Sequence, residues 1–248
     1  MKRPYQAGWL PNYHGGWAMI SLPPLLGIYH SGFVPTHLIF LLAWWGAYFL
    51  FFALIGFLRH GFAQRYRSAL MTYGGLTLTA TLILLIFRQK LIIWFMPLFL
   101  LTLLTLWQAK IGKERSLLSG IATVVLASLM LPIAYQVKNN DLPTHIILLT
   151  VIVFLYFAGT VLYVKTNIRE RKSLKYFYFS ISFHAIALMI VSVYQQSNYF
   201  LITVWILLLF RSIFIPYLIK IGKNIAVKTI GILEILFSIL LFLSLLLR

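Results

Sequence analysis

Cysteine is absent from the 248 residues, so disulfides, thiol catalysis and cysteine-ligated metals are excluded. Acidic residues are almost as scarce, with 4 Asp and Glu against 21 Lys and Arg. So few carboxylates cannot build the two acidic clusters that a two-magnesium phosphate site requires. Charge of either sign is thin, at 10% of the chain where a soluble domain carries roughly 25%. Also missing are the G-x-x-x-x-G-K phosphate loop, the H-E-x-x-H zinc pair, the G-x-S-x-G elbow and the glycine-rich dinucleotide fingerprint. No inverted internal repeat, low-complexity segment or linker interrupts the sequence.

What fills the chain is apolar: 61% of residues are hydrophobic. Apolar stretches bounded by charge or turn residues run over 17–30, 36–58, 69–87, 91–107, 118–136, 143–164, 176–194, 199–218 and 229–247. A span needs about 20 apolar residues, so several of these sit near the short limit for crossing the hydrocarbon layer. The expected fold is all-α: a polytopic bundle of about nine transmembrane helices, in a single integral membrane domain over 1–248. The first stretch is the exception, because Pro23 and Pro24 invite a break or a re-entrant path. No A-x-A type cleavage site follows it, and it is expected to be retained.

The basic residues set an orientation. With the N-terminus in the cytoplasm, nearly all of them fall in inner loops or, for Arg211, near the inner end of the eighth span, and only Arg88, Lys90, Lys138 and Arg248 fall outside. The opposite orientation would violate the positive-inside rule. A bacterial cytoplasmic (inner) membrane with the N-terminus inside and the C-terminus outside is expected. Because the cations lie in short loops rather than one basic module, nucleic acid is not an expected partner. The lipid bilayer is.

Four groups of residues have chemistry to offer. Asn12-Tyr13-His14-Gly15-Gly16-Trp17-Ala18-Met19 places His14 at the inner entrance beside two glycines that admit close approach, or else forms an interfacial anchor. If helical, Lys165, Arg169 and Lys172 share one face, as do Lys110 and Lys113; such rows can hold phosphate, or serve only as topology charges. Glu114 and Glu170 lie between these cations, where intrahelical pairing is the ordinary explanation. Arg211 and Glu234 lie about 9 to 14 Å below the inner boundary, by a rise of 1.5 Å per residue, and are expected to pair. That pair is either a helix clamp or a buried anion or proton site. Of the histidines, His30, His37 and His145 fall at outer helix ends near Asp141, and His184 lies mid-membrane on the same face as Ser180. None has the spacing of a metal site on one helix.

The run Asn12 to Met19 resembles the opening of the YwiC-like family of bacterial membrane proteins, whose pattern is close to N-x-H-G-A-W-A-M. A more distant resemblance is to UbiA-type prenyltransferases. Leu22-Pro23-Pro24-Leu25-Leu26-Gly27 is similar to their proline-containing first span, and Lys113-Glu114-Arg115-Ser116 to the basic motif before their fifth. That resemblance implies a nine-helix scaffold with a lateral cavity on the cytoplasmic side. It also implies aspartate-rich motifs after spans two and six, where this chain has Arg59 to Arg65 and Lys165 to Arg171. Cations stand where metal-binding aspartates would be.

The leading reading is therefore an inner-membrane protein that binds an anionic amphiphile, a lipid or isoprenoid phosphate, at a basic cytoplasmic-side cavity. His14, Arg59, Lys113, Arg115, Arg169 and Arg171 are the expected ligand-binding residues, with Trp44, Trp45 and Tyr48 lining the tail cavity and no cofactor or metal. A divergent UbiA-like prenyltransferase is the alternative, and only there would Glu114 or Glu170 hold a single magnesium ion. A small-solute transporter is third, since few ionisable groups lie inside the spans to couple ions. Reporter fusions at the two termini are expected to read opposite sides of the membrane; the same side for both would refute the nine-span topology.

Overall fold

The structure, a computed structural model, describes residues 8–11, 14–60, 63–223 and 225–246, without the side chains of His14 and Gly15. Among the described residues there is no strand. The helices are α1 (His14–Ser31), α2 (Thr36–Arg59), α3 (Arg67–Phe87), α4 (Phe95–Lys110), α5 (Leu117–Ser128), α6 (Met130–Lys138), α7 (Thr144–Ile168), α8 (Leu174–Tyr194), α9 (Tyr199–Lys220) and α10 (Val227–Leu246). Short 3-10 turns at Gln64–Tyr66 and Gln89–Trp94 lead into α3 and α4. Eight segments, of 20 to 25 residues, are long and apolar enough to cross a membrane, with α5 and α6 together making one of them, Leu117–Lys138. The all-helical, polytopic expectation therefore holds, and the spans are longer than the apolar runs alone suggested. At 1.5 Å per residue the shortest of them covers about 30 Å.

Proline accounts for the two irregular places. Pro132 has no N–H to bond the Ser128 carbonyl and its ring crowds that oxygen. α5 accordingly stops at Ser128 and α6 restarts at Met130, with Leu129 between them. Pro23 and Pro24 have the opposite outcome: α1 runs through both without interruption, where the sequence suggested a break. Pro24 leaves the carbonyl of Ile20 without its helical donor, and in a membrane interior such a group needs another partner. The indole Nε1 of Trp44 on α2 supplies it, donating to Ile20 O at 2.7 Å.

The helices gather into two compact units, Met1–Thr150 and Val151–Arg248. In the first, α1 lies so close to α6 that a Cβ added at Gly27 would overlap the Leu131 carbonyl and the Ala134 side chain. α2 packs along α3 through Gly46, which faces Thr77. Phe40, Leu84, Leu91, Met130, Ile133, Ala134 and Val137 form a buried apolar cluster. His37 is buried beside it: its Nδ1 accepts from the Val34 N–H at 3.0 Å, and its Nε2 lies 3.0 Å from the Ala134 carbonyl. An acceptor at Nδ1 carries no proton, so Nε2 is the donor and the ring is neutral.

In the second unit α8 and α10 both pack on α9. Asn198 caps α9 with its Oδ1, which accepts from Leu201 N at 2.9 Å, and donates through Nδ2 to the Ser244 carbonyl of α10 at 2.8 Å. Tyr156 of α7 joins Ser238 of α10 at 2.8 Å. Trp205, Leu208 and Leu201 of α9 and Leu162 of α7 are buried with it.

The close approach at Gly27 has a direct test. Gly27→Ala is expected to destabilise the protein by about 1–3 kcal/mol through overpacking, whereas Gly75→Ala, with nothing within 4 Å of the added carbon, is expected to be neutral or to stabilise by up to about 1 kcal/mol. Thermal unfolding in detergent measures both.

Candidate functional site

The cationic loops do not continue the helices. α4 ends at Lys110, Gly112 takes φ +72, and Lys113 N bonds back to Gln108 O at 2.8 Å. α9 ends the same way, with Gly222 at φ +89 and Lys223 N bonding Leu218 O at 3.0 Å. The two ends share the sequence Lys-Ile-Gly-Lys, at 110–113 and 220–223. In each, the glycine adopts the left-handed conformation that a six-to-one terminal bond requires, and a lysine in the last turn suits the helix dipole. The expected row of Lys110 and Lys113 on one helical face is therefore not formed. Nor is that of Lys165, Arg169 and Lys172, because α7 stops at Ile168 and both Arg169 N and Glu170 N bond the Lys165 carbonyl.

In the first unit, the turn after α4 meets the end of α2. Arg59 Nη1 lies 3.1 Å from Glu114 Oε1, and Arg115 Nε lies 3.8 Å from the same oxygen. Glu114 is thus paired mainly across helices, in contrast to the intrahelical pairing expected from its neighbours, because residues 111–116 are a turn and not a helix. Ser116 fixes the turn: its Oγ accepts from Ser119 N at 3.1 Å as the cap of α5 and donates to Gln108 Oε1 at 3.2 Å. Arg59, Arg115 and Lys113 are brought to one end of this unit, with Arg65 stacked on Tyr66 at 5.0 Å nearby. His14, the remaining candidate in this half, has its side chain outside the described residues. On α2, Trp44 is committed to Ile20, Trp45 is 40% exposed, and Tyr48 packs against Trp17.

In the second unit, Ile168, Arg169, Glu170, Arg171, Lys172 and Ser173 line an open recess of about 520 Å³. Arg171 Nε donates to the Asn167 carbonyl at 2.5 Å, which anchors the guanidinium to the end of α7. Ser173 caps α8 by accepting from Tyr176 N at 3.4 Å, and the first turn of α8 carries no acid. Arg169 and Arg171 therefore share one recess with Lys172. Two further lysines are held on aromatic faces: Lys165 over Tyr176 at 5.2 Å and Lys220 over Phe177 at 3.4 Å. Sequence reasoning missed these contacts. The Tyr-Phe-Tyr run at 176–178, at the head of a span, was the available signal.

Arg211 and Glu234 meet inside the second unit, Nη1 to Oε1 at 2.5 Å, with side chains only 4% and 6% exposed. The guanidinium carbon lies 4.0 Å from the Tyr163 ring centroid and 4.7 Å from that of Phe237. Ser238 Oγ and the Tyr156 hydroxyl both bond the Glu234 carbonyl, at 2.8 and 3.3 Å. Phe237, three residues after Glu234, was within reach of helical spacing; Tyr163, on another helix, had no local signal.

Histidines contribute no cluster: among the described residues, no group of three His, Asp or Glu could hold a metal ion. His30 and His145 approach with ring centroids 6.3 Å apart, His37 is committed to Val34 and Ala134, and His184 donates from Nδ1 to the Ser180 carbonyl at 2.7 Å.

A family profile described as YwiC-like protein matches residues 10–135. Over 237 residues the chain is 23% identical to an uncharacterized protein of Haemophilus influenzae, covering 96% of this chain and 97% of that one. Over 234 residues it is 28% identical to the uncharacterized protein YwiC of Bacillus subtilis, covering 91% and 92%. No solved structure matches.

The two ion pairs differ in environment, and so should their worth. Arg211→Ala leaves a buried carboxylate without its partner and is expected to cost about 3–5 kcal/mol. Arg59→Ala, at a pair that reaches solvent, is expected to cost at most about 1 kcal/mol. Chemical or thermal unfolding of the two variants side by side measures the difference; equal losses would contradict it.

Proposed function

The chain, a multi-pass membrane protein, belongs to the YwiC-like family, and we propose that it binds an anionic amphiphile, a lipid or isoprenoid phosphate, through its basic loops. The supporting observation is the recess at Ile168–Ser173, where Arg169, Arg171 and Lys172 outnumber Glu170 at the head of α8. Arginine forks and a lysine take phosphate oxygens directly by charge-assisted hydrogen bonds, so the reading needs no metal. The helix N-terminus adds to the same field. Arg59, Lys113 and Arg115, grouped at one end of the first unit, present similar chemistry, although Glu114 neutralises part of it.

An inner-membrane location with the N-terminus inside is part of the proposal, because it puts these loops against the anionic cytoplasmic leaflet. The UbiA-type scaffold belongs here as well, as does its prenyltransferase activity. Against a magnesium ion at Glu114 stands the Arg59 guanidinium already on that carboxylate. Glu170 is the remaining carboxylate for that alternative.

Flotation with vesicles tests the reading. Arg171→Ala and Lys172→Ala are each expected to weaken attachment of phosphatidic acid or an isoprenoid phosphate by about fivefold, from about 1 kcal/mol per cation at the surface. Binding of a neutral lipid should not change. Unaltered binding of the anionic lipids in the double variant would overturn the proposal, and magnesium-dependent turnover of a prenyl diphosphate that is lost on Glu170→Gln would favour the prenyltransferase instead.

A further inference from the structure

Glu234 is the one side-chain carboxylate inside a membrane-spanning helix; Glu114, Asp141 and Glu170 lie between helices. Its partner Arg211 also lies inside a span. An ionisable pair at that depth is costly to keep, and side chains there commonly face a pathway or a site. The pairing is incomplete. Arg211 Nε and Nη2 and Glu234 Oε2 have no hydrogen-bond partner, and neither has the hydroxyl of Tyr163. The Thr160 hydroxyl lies beside the carboxylate and is the donor closest to pairing with it. A clamp selected for stability alone would be expected to satisfy both oxygens with the two nitrogens of the guanidinium fork. Here one nitrogen and one oxygen meet, and the other side of the fork, Nε and Nη2, is left unused.

What is left over has a definite chemistry. Nε, Nη2 and the Tyr163 hydroxyl are buried donors, and the rings of Tyr163 and Phe237 pack on the guanidinium, so its Nε–Nη2 edge is the part with bonds still to make. A planar two-nitrogen fork matches two oxygens of a carboxylate or phosphate group. Charge sets a condition. Arg211 and Glu234 together are neutral, so adding a monoanion would leave a net negative charge in a dry interior. Adding a proton with the anion keeps the site neutral.

We propose that the Arg211–Glu234 pair is an exchange site for an oxyanion of the carboxylate or phosphate class. Glu234 accepts a proton on its carboxylate and releases Arg211 Nη1; the anion's two oxygens then take the Nε and Nη2 donors, with the Tyr163 hydroxyl giving a third bond. The proton and the anion enter and leave together. In the conformation described here the leftover atoms are closed off, so entry requires α9 or α10 to move. Pro216 in α9 leaves the Ser212 carbonyl without its helical donor one turn from Arg211, a place where the helix bends with fewer bonds to break. Gly231, one turn before Glu234, has open space around it. The other titratable groups packed here are Tyr156 and Tyr163 of α7 and His184 of α8. Tyrosines ionise only in alkali, and a second cation on buried His184, close to the Arg211 guanidinium, would have no counter-charge. Glu234 is therefore the group that changes charge.

This inference goes beyond lipid attachment at the loops and stands independently of it. The full-length protein in nanodiscs of neutral lipid is given acetate or inorganic phosphate as water-borne probes, and oleate or phosphatidic acid as bilayer-borne probes. Bound probe and proton uptake are measured from mildly acid to mildly alkaline pH. The wild type is expected to take up one proton per anion, with affinity falling by up to about tenfold per pH unit as pH rises. Retention of the water-borne probes together with a proton would mark a solute site, and of the bilayer-borne ones alone together with a proton a lipid headgroup site; either supports the exchange. Glu234→Gln is expected to bind acetate, which stays a monoanion over this range, without proton uptake and without pH dependence. Arg211→Gln should lose binding at least tenfold, and Arg211→Lys, which keeps the charge but not the fork, serves if the first does not fold. Lys90→Ala, an exposed side chain outside both proposed sites, should leave the coupling intact. No binding of any probe, an unchanged pH dependence of acetate binding in Glu234→Gln, or loss of the coupling in Lys90→Ala would each overturn the proposal.

Discussion

A carbonyl oxygen that loses its helical donor inside a bilayer has no water to turn to, and much of this fold can be derived from that constraint. Prolines create such oxygens at Met19 and Ile20 in α1, at Ser128 between α5 and α6, and at Ser212 in α9. The responses differ. Trp44 reaches from α2 to bond the Ile20 carbonyl and so ties two helices together. At Leu129 the segment simply breaks and restarts. His37 extends the same logic by bonding the Ala134 carbonyl of α6, and Asn198 does so at the Ser244 carbonyl of α10. Side chains that bond the backbone of another helix hold these units together where a soluble protein would rely on burial from water, a driving force that lipid does not supply.

Charge is handled in two distinct ways. At the helix ends lysines lie on aromatic faces or flank a left-handed glycine, where they cost little and complement the dipole. Inside the second unit a single cation and a single anion face each other, with donors and an acceptor left over. The first arrangement is ordinary at the helix ends of a multi-pass membrane protein. The second is expensive, and stability is a weak explanation for it, since apolar residues of similar size would pack there at least as well.

The spans and the class of fold were legible because about 20 apolar residues in a row admit few other structures. The pairing of Arg211 with Glu234 could be anticipated for a similar reason: two lone charges at comparable depth have few alternatives to each other. Helix ends were misjudged where cations at helical spacing suggested continued rows, although Gly112 carried the stop signal in the Lys-Ile-Gly-Lys sequence that recurs at Gly222. Arg59 with Glu114 was not legible, because it depends on how two separate helix ends are placed, which no local spacing encodes. The same holds for Trp44, Tyr163 and His37, whose partners are set by the rotation of one helix against another.

α1 falls short of the apolarity of the eight other segments, as its prolines, glycines and terminal histidines dictate. The groups that complete it, Trp44 on α2 and the Leu131 to Ala134 surface facing Gly27, come later in the chain. During synthesis the first helix therefore leaves the ribosome before the surfaces that make it comfortable in lipid exist. Its settled place has to be reached after α2 to α5 and part of α6 have followed it. Membrane insertion of this protein is in that respect an assembly problem, in which the earliest segment waits for α6.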